Sequence, residues 1–494
     1  MNTTLLSFVI LYLLGTMAIG MYAGKRIKNT SDFALAGRSL PVFLVITTTF
    51  ATWFGAETVM GAPAKFIQGG LNAVIEEPIG AGLCLVLVGA FFASKLYKMN
   101  LLTIGDYYRT RYGKSVEIFC SIIIILSYLG WVAAQITALG LVFSILSGGA
   151  ITPAIGMIIG TALVLIYVLV GGMLAVAWTD LIQMIVLVVG LSVIAMLASE
   201  QAGGVGEVVA LASAQDWFNI LPDTSAAATA ESLDESNNWV WFVAAAVTMM
   251  FGSIPQQDVF QRVMSAKSSE AARTGTIIGG VAFLVFAMVP IFIVTSAMLI
   301  MPEQTAALLA EDSQRILPTL VLTKMPLIAQ ILFFGALVSA IKSTSSATLL
   351  APSTSFVENI LKNLHPGMSD RQLLLAMRLT VVAFTSLVLT YSIAMEGTKI
   401  YELVSMAYQV PLVGAFVPLT FGLYWKRATT QGALASIVLG VGALVVFNAV
   451  DALGSAFPGQ LAGLLLAVVG MVAGSLLPQW LSNRHLAVTP PAPN

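Results

Sequence analysis

The sequence predicts an all-α polytopic membrane protein with thirteen transmembrane helices. Three observations carry that reading. The chain of 494 residues is 58% hydrophobic and only 10% charged, and its mean hydropathy of +0.92 lies far outside the range of soluble domains. Its apolar runs are long enough, at about 20 residues each, to cross a hydrocarbon core of about 30 Å. The basic residues alternate from loop to loop as the positive-inside rule requires.

The runs fall near 4–23, 41–64, 73–95, 116–147, 152–171, 174–198 and 239–260. They continue near 274–301, 327–358, 374–394, 400–424, 431–450 and 460–481. The first lacks a cationic start and a small-residue cleavage site, so it reads as a retained helix. With the N-terminus outside, the inner loops carry Lys25, Arg26, Lys28 and Arg38, then Lys95, Lys98, Arg109, Arg111 and Lys114. Arg262, Lys267, Arg273, Lys362, Arg371, Arg378, Lys426, Arg427 and Arg484 continue that side. Only Lys65, Arg315, Lys324 and Lys399 fall outside, and Lys342 alone lies deep in a span. Segment 200–238 is acidic and has no Lys or Arg, as an outer loop should.

The expected organisation follows: 1–40 as a first helix and inner loop, 41–199 as five helices, and 200–238 as an acidic extracellular loop. Residues 239–425 form five more helices, 426–483 two C-terminal helices, and 484–494 a Pro-rich, disordered cytoplasmic tail. A plasma (inner) membrane location is expected, with the N-terminus extracellular or periplasmic and the C-terminus cytoplasmic. Cys84 and Cys120 both fall in spans, and His365 and His485 fall in or near inner segments. No set of His, Cys and carboxylate residues clusters, so no enzyme activity and no cofactor are expected.

Two spans are interrupted. Span 2 reads TTTFATWFGAETVMGAPA, with Gly55 at mid-membrane, and span 7 reads TMMFGSIPQQDVFQRV, with Gly252 and Pro255. Inside lipid the backbone leaves the helix only where it is buried in protein or lines a cavity, and proline lacks an N–H. Breaks five spans apart are the pattern of two five-helix repeats of opposite orientation, spans 2–6 and 7–11, with a site between them. Packing kinks are the plainer explanation of either break.

Intramembrane charge is costly and marks function by default. Glu57, Glu76, Glu77, Asp180, Asp258 and Lys342 lie within or at the ends of spans. Glu76, Asp180 and Asp258 can also sit near the interface, where the cost is low. Span 9 clusters Ser343, Thr344, Ser345, Ser346 and Thr348. Ser343 and Ser346, three apart, share a helix face. Their hydroxyls are hard ligands suited to an alkali cation, or ordinary helix–helix glue.

With SDFALAGRSLP after span 1, GGMLAVAWTDLIQ entering span 6 and SAIKSTSSATLLAPS in span 9, the chain resembles the sodium:solute symporters. The resemblance covers nearly the whole chain and implies a LeuT-like, five-plus-five inverted-repeat core with sodium as coupling ion. It also implies a sodium site on the carbonyls of Ala51, Phe54 and Ala340 and the hydroxyls of Ser343 and Thr344. A second sodium site found in some members would use Asp180, Ser343, Ser346 and residue 347, which here is Ala347. Lys342 then has three readings: a fixed charge replacing that ion and neutralising Asp180 or another buried acid, a proton carrier, or a side chain snorkelling to the inner side.

Within the family, TFATWFGAETV, FGSIPQQDVFQRVMSAKSSEAA, EPIGAGLCLVLVGAFFA and YLGWVAAQITALG resemble the choline-transporter branch. Aromatic faces attract a quaternary ammonium, and two cage tryptophans have counterparts in Trp53 and Trp131. Two further aromatic positions are Ala81 and Gln256 here. Glu57 and Glu77 offer carboxylates to a primary or secondary ammonium, unless one of them pairs with Lys342; Gln256 and Gln257 offer polar contacts. The expected activity is sodium-coupled import, by alternating access, of a small amine-bearing solute such as an amino acid, a choline-like molecule or a polyamine. The alternatives are a proton-coupled, sodium-independent carrier using Lys342, and a solute sensor, which no kinase or receiver segment after residue 481 supports.

Overall fold

The computed structural model describes residues 3–24, 29–222 and 239–481. Lys25, Arg26 and Lys28 of the first loop, residues 223–238 of the acidic segment, and the tail from 482 onward lie outside these. The described residues are helical, with no named strand among them.

Helix α1 (Thr3–Gly24) is followed by a bent pair, α2 (Val42–Trp53) and α3 (Glu57–Ala73), then α4 (Ile75–Lys98), α5 (Lys114–Leu146) and α6 (Pro153–Gln201). A second bent pair, α7 (Trp239–Gly252) and α8 (Gln257–Ser265), leads to α9 (Ser269–Ile300), α10 (Leu327–Leu364) and α11 (Asp370–Ala394). Helices α12 (Ile400–Tyr424), α13 (Thr430–Ala449) and α14 (Gly459–Leu476) complete the bundle. Nine helices among the described residues are long and apolar enough to cross a membrane, or 11 if each bent pair is one span. The apolar stretches Ser7–Thr16 in α1 and Pro153–Ile166 in α6 are shorter. The runs expected at 152–171 and 174–198 meet at Gly172, whose φ of 51° and ψ of −170° break the helix. Glycine alone adopts that conformation without strain.

Both anticipated breaks are present, with bends of 56° and 44°. At the first, Phe54 leaves the helix (φ −89°, ψ 72°), and the freed N–H of Ala56 donates to Gln135 Oε1 at 2.9 Å. At the second, beyond Pro255, the Asp258 N–H donates to the Tyr128 hydroxyl at 2.9 Å. Buried backbone groups must find partners, and here one helix supplies both. Tyr128, Trp131 and Gln135 lie at i, i+3 and i+7 on α5 and so share a face. Leu40, ahead of α2, exchanges backbone bonds with the segment after α8: its N–H donates to Ser265 O at 2.9 Å, and its carbonyl accepts from Lys267 N at 2.8 Å.

Several expectations on boundaries change. Span 7 continues to Ser265, span 9 to Leu364, and the last helix ends at Leu476, short of 481. Short helices also occupy the connections: Thr30–Leu35, Ile104–Tyr112, Val205–Ala214, Pro302–Glu311 and Ile316–Lys324. A search for long apolar runs passes over them, although a capping box of Thr103 and Asp106 announces one.

Candidate functional site

The first break carries its chemistry inward. Glu57, 1% exposed, accepts from Trp131 Nε1 at 2.9 Å and from Gln135 Nε2 at 2.6 Å. Both donors come from α5, the helix that caps the break. Three rings surround this carboxylate's partner: Trp53 meets Trp131 edge-on at 5.6 Å, and Tyr408 lies 6.1 Å from Trp53 and 5.3 Å from Trp131. Tyr128 stacks on the far side of Trp131 at 6.1 Å. Glu77 arrives from α4, and its Oε1 lies in hydrogen-bond contact with the Thr58 hydroxyl at 2.7 Å. No Lys or Arg among the described residues lies within ion-pair distance of Glu57 or Glu77.

Of the sequence-predicted solute residues, Trp53, Trp131, Glu57 and Glu77 are therefore brought together. Gln256, from the second break, donates to Ser127 Oγ at 2.8 Å. Several buried polar atoms around the two breaks have no hydrogen-bond partner: Trp53 Nε1, Glu77 Oε2, Gln256 Oε1, Asp258 Oδ2 and the Tyr408 hydroxyl. Such orphans cost about 1–3 kcal/mol each.

The Ser/Thr stretch of α10 faces the end of α2. Ser343 Oγ donates to Asp180 Oδ1 at 2.6 Å, Thr48 Oγ1 to Asp180 Oδ2 at 2.5 Å, and Thr344 Oγ1 to the Thr52 carbonyl at 2.8 Å. Ala51, Phe54 and Ala340 are buried at the same junction. Asp180 and Asp258 are 0% exposed and Glu76 5%. The Ser346 hydroxyl donates to its own helix, at Lys342 O (2.6 Å).

Lys342 is buried, and its Nζ donates to Thr16 Oγ1 of α1 at 2.7 Å. Its chain lines an apolar gap beside Leu14, Leu139, Phe143 and Val164. The expected alternative, a pairing of Lys342 with Glu57 or Glu77, is replaced: those carboxylates make their hydrogen bonds with Trp131, Gln135 and Thr58.

One side of the site is open and the other closed. A cavity of about 650 Å³ is lined by Lys65, Asn72, Glu76, Trp241, Tyr401 and Ser405 among others. At its floor Ser405 donates to Glu76 Oε2 at 2.8 Å. Tyr401, Ser405 and Tyr408 share a face of α12, so the floor lies about one helical turn, ~5 Å, from the aromatic cluster. On the opposite side Arg262, 2% exposed, reaches Thr52 Oγ1 with Nε and Nη2 (3.0 and 2.7 Å) and the Asp258 carbonyl with Nη1 (2.7 Å). Beyond it, the hydroxyls of Tyr107, Tyr108 and Tyr112 donate to the carbonyls of Leu419, Ala415 and Pro418.

Sequence reasoning missed Gln135, Tyr128, Tyr408, Thr58 and Arg262. The first two carried a usable signal, since a Gln and a Tyr on one face with Trp131 are unexpected in a lipid-facing helix. Tyr408 and Arg262 gave none without the tertiary contacts.

Comparison with known proteins gives the chain its relatives. A family model, the sodium:solute symporter family, matches residues 33–440. The high affinity choline transporter 1 of Homo sapiens is 28% identical over 454 residues, covering 88% of this chain and 75% of that protein. The sodium/sialic acid symporter NanT of Aliivibrio fischeri is 26% identical over 496 residues, 96% of this chain and 94% of the relative. The high-affinity proline transporter PutP of Bacillus subtilis is 28% identical over 463 residues, at 91% and 94% coverage. A solved structure of a Na+-coupled sialic acid symporter, substrate-bound and outward-open, superposes with a TM-score of 0.82 at 21% identity, over 97% of this chain and 99% of that one. That likeness is one of fold. Broken helices meeting at a buried polar junction, in a chain that the family model matches over most of its length, agree: this protein is a multi-pass membrane transporter, not an enzyme, and belongs to the sodium:solute symporter family.

Proposed function

We infer that this sodium-coupled symporter imports a small amine-bearing solute, an amino acid, a choline-like cation or a polyamine. One observation carries the reading: Glu57 is buried against Trp131, beside Trp53 and Tyr408, with neutral donors only. A solute ammonium supplies the missing charge, and the ring faces attract it. Glu77 and the free Oε1 of Gln256 complete the polar side. Among the solutes named for relatives, choline and proline carry such a group. A sialic acid carboxylate would meet two acids here.

The sodium ion is assigned to the carbonyls of Ala51, Phe54 and Ala340 with the hydroxyls of Ser343 and Thr344, because the broken end of α2 leaves the carbonyls of Ala51 and Phe54 available beside α10. Asp180, Ser346 and Lys342 stand where a second ion would bind, with Lys342 as a resident charge. The proposed frame has thirteen spans and a five-plus-five inverted repeat, dividing at 1–40, 41–199, 200–238, 239–425, 426–483 and 484–494. The 650 Å³ cavity is taken to face outward, with the N-terminus outside and the C-terminus in the cytoplasm.

The test is the thermal stability of purified protein with choline, betaine, proline, other amino acids, polyamines and sialic acid, in sodium or potassium. A ligand at a hundredfold excess over Kd stabilises the folded state by about 2.7 kcal/mol. The expected result is a sodium-dependent shift with an ammonium solute, and uptake of that solute into proteoliposomes under a sodium gradient. A shift confined to anionic or uncharged solutes would overturn the reading, and binding without flux would mark a sensor.

A further inference from the structure

Glu77 is the buried acid whose hydrogen bonds do not close if it is ionised. Its Oε1 lies 2.7 Å from Thr58 Oγ1, and the same hydroxyl lies 3.2 Å from the Trp53 carbonyl. Thr58 has one proton, and a carbonyl only accepts. With Glu77 ionised, Thr58 can serve one of these oxygens, and the other faces a lone pair. With Glu77 neutral, its O–H donates to Thr58 Oγ1 and Thr58 donates to Trp53 O, so both contacts are hydrogen bonds.

Glu57 is the opposite case. Both of its oxygens face N–H groups that only donate, Trp131 Nε1 and Gln135 Nε2. Among the described residues, no Lys or Arg lies within ion-pair distance of Glu77. Glu57 faces it from α3, Glu76 from its own helix, and Tyr401 and Tyr408 from α12. Lys65, a basic residue lining the cavity, acts on Glu76. Two carboxylates that share one desolvated site do not both ionise readily. Glu76 also gives a route out, since it lines the 650 Å³ cavity and its Oε1 is buried without a partner.

We propose that Glu77 carries a proton while the solute site is empty and releases it toward the cavity when an ammonium solute binds beside Glu57. One proton then leaves for each cation bound, and the site keeps one net negative charge fewer than its two acids would give. The first half stands alone; the exchange rests on the amine reading above.

Two measurements test it. In the infrared spectrum of ligand-free protein, wild type shows the C=O stretch of buried carboxylic acid, and Glu77→Gln loses the component that belongs to residue 77. Because other acids, among them Glu76 and Asp258, are also buried, a wild-type minus Glu77→Gln difference spectrum with no carboxylic-acid component overturns the proposal. The second uses choline, whose quaternary ammonium has no proton of its own to exchange. Added with saturating sodium to weakly buffered protein containing a pH indicator, it releases about one proton per site in wild type. Glu77→Gln, whose amide donates to Thr58 as the acid does, releases none. Choline binding without proton release overturns the exchange. Failure of choline to bind while the infrared difference component is present counts against the quaternary-ammonium reading and leaves the protonated acid supported.

Discussion

Gly55→Ala is a one-carbon perturbation whose effect can be worked from distances. The backbone φ at Gly55 is one that any residue adopts, so only space matters. A Cβ there would stand 2.5 Å from Glu57 Oε2, 2.8 Å from Thr344 Oγ1 and 2.9 Å from Glu57 Oε1. The carboxylate must move, and its 2.6 Å bond from Gln135 is the first to stretch. Charge-assisted hydrogen bonds contribute about 1.5–3 kcal/mol and neutral ones about 1. Losing the Gln135 bond and the Thr344–Thr52 bond of 2.8 Å therefore removes about 3 kcal/mol, roughly a hundredfold in affinity. The assay is the half-saturating concentration of solute and of sodium, read by thermal shift and by proteoliposome uptake. The solute value should rise about thirtyfold, for the roughly 2 kcal/mol of the Gln135 bond, and the sodium value about fivefold, for the roughly 1 kcal/mol of the bond made by Thr344, the proposed ion ligand. Gly335→Ala is the control, because its Cβ would meet nothing nearer than Val186 Cγ1 at 3.9 Å. If Gly55→Ala binds both within threefold of wild type, the placement of Glu57 and Thr344 around one shared point is not what builds the site.

Two further outcomes are expected. Lys342→Met removes the bond to Thr16 and the positive charge neighbouring Asp180; the half-saturating sodium concentration should fall several-fold, because an uncompensated acid attracts a cation, and an unchanged sodium titration would refute the role of Lys342 as resident charge. Arg262→Lys keeps the charge but loses the fork that holds Thr52 and the Asp258 carbonyl; the closed side should open more often, read as faster alkylation of a cysteine introduced at Gln261, which is 0% exposed in the wild type, and an unchanged rate would refute the latch.

The helical class and both breaks were legible because they follow from solvent alone. Hydrocarbon offers the backbone no partners, so apolar runs must be helices, and a break of the kind that Gly55, or Gly252 and Pro255, signal can only lie inside protein or beside a cavity. The Ser/Thr run of α10 stood out by its resemblance to the family's ion-site motif, and Trp53 and Trp131 by their resemblance to its cage pattern. Glu57 and Glu77 were visible as misplaced charges, but their partners were not. Gln135 is 78 positions from Glu57 and Thr58 is 19 from Glu77, and no local period links them.

The sequence by itself determined that the chain is built of long apolar helices and where two of them break, because hydrophobicity and backbone satisfaction act over one helix at a time. Only the tertiary structure decided which charges share a site. It set Lys342 against Thr16 of α1 and gave Glu57 to Trp131 and Gln135. A third aromatic wall came from Tyr408, more than 270 residues beyond Trp131. Pairing of buried groups depends on distances of about 3 Å between helices far apart in the chain, and those distances exist only once the bundle has packed.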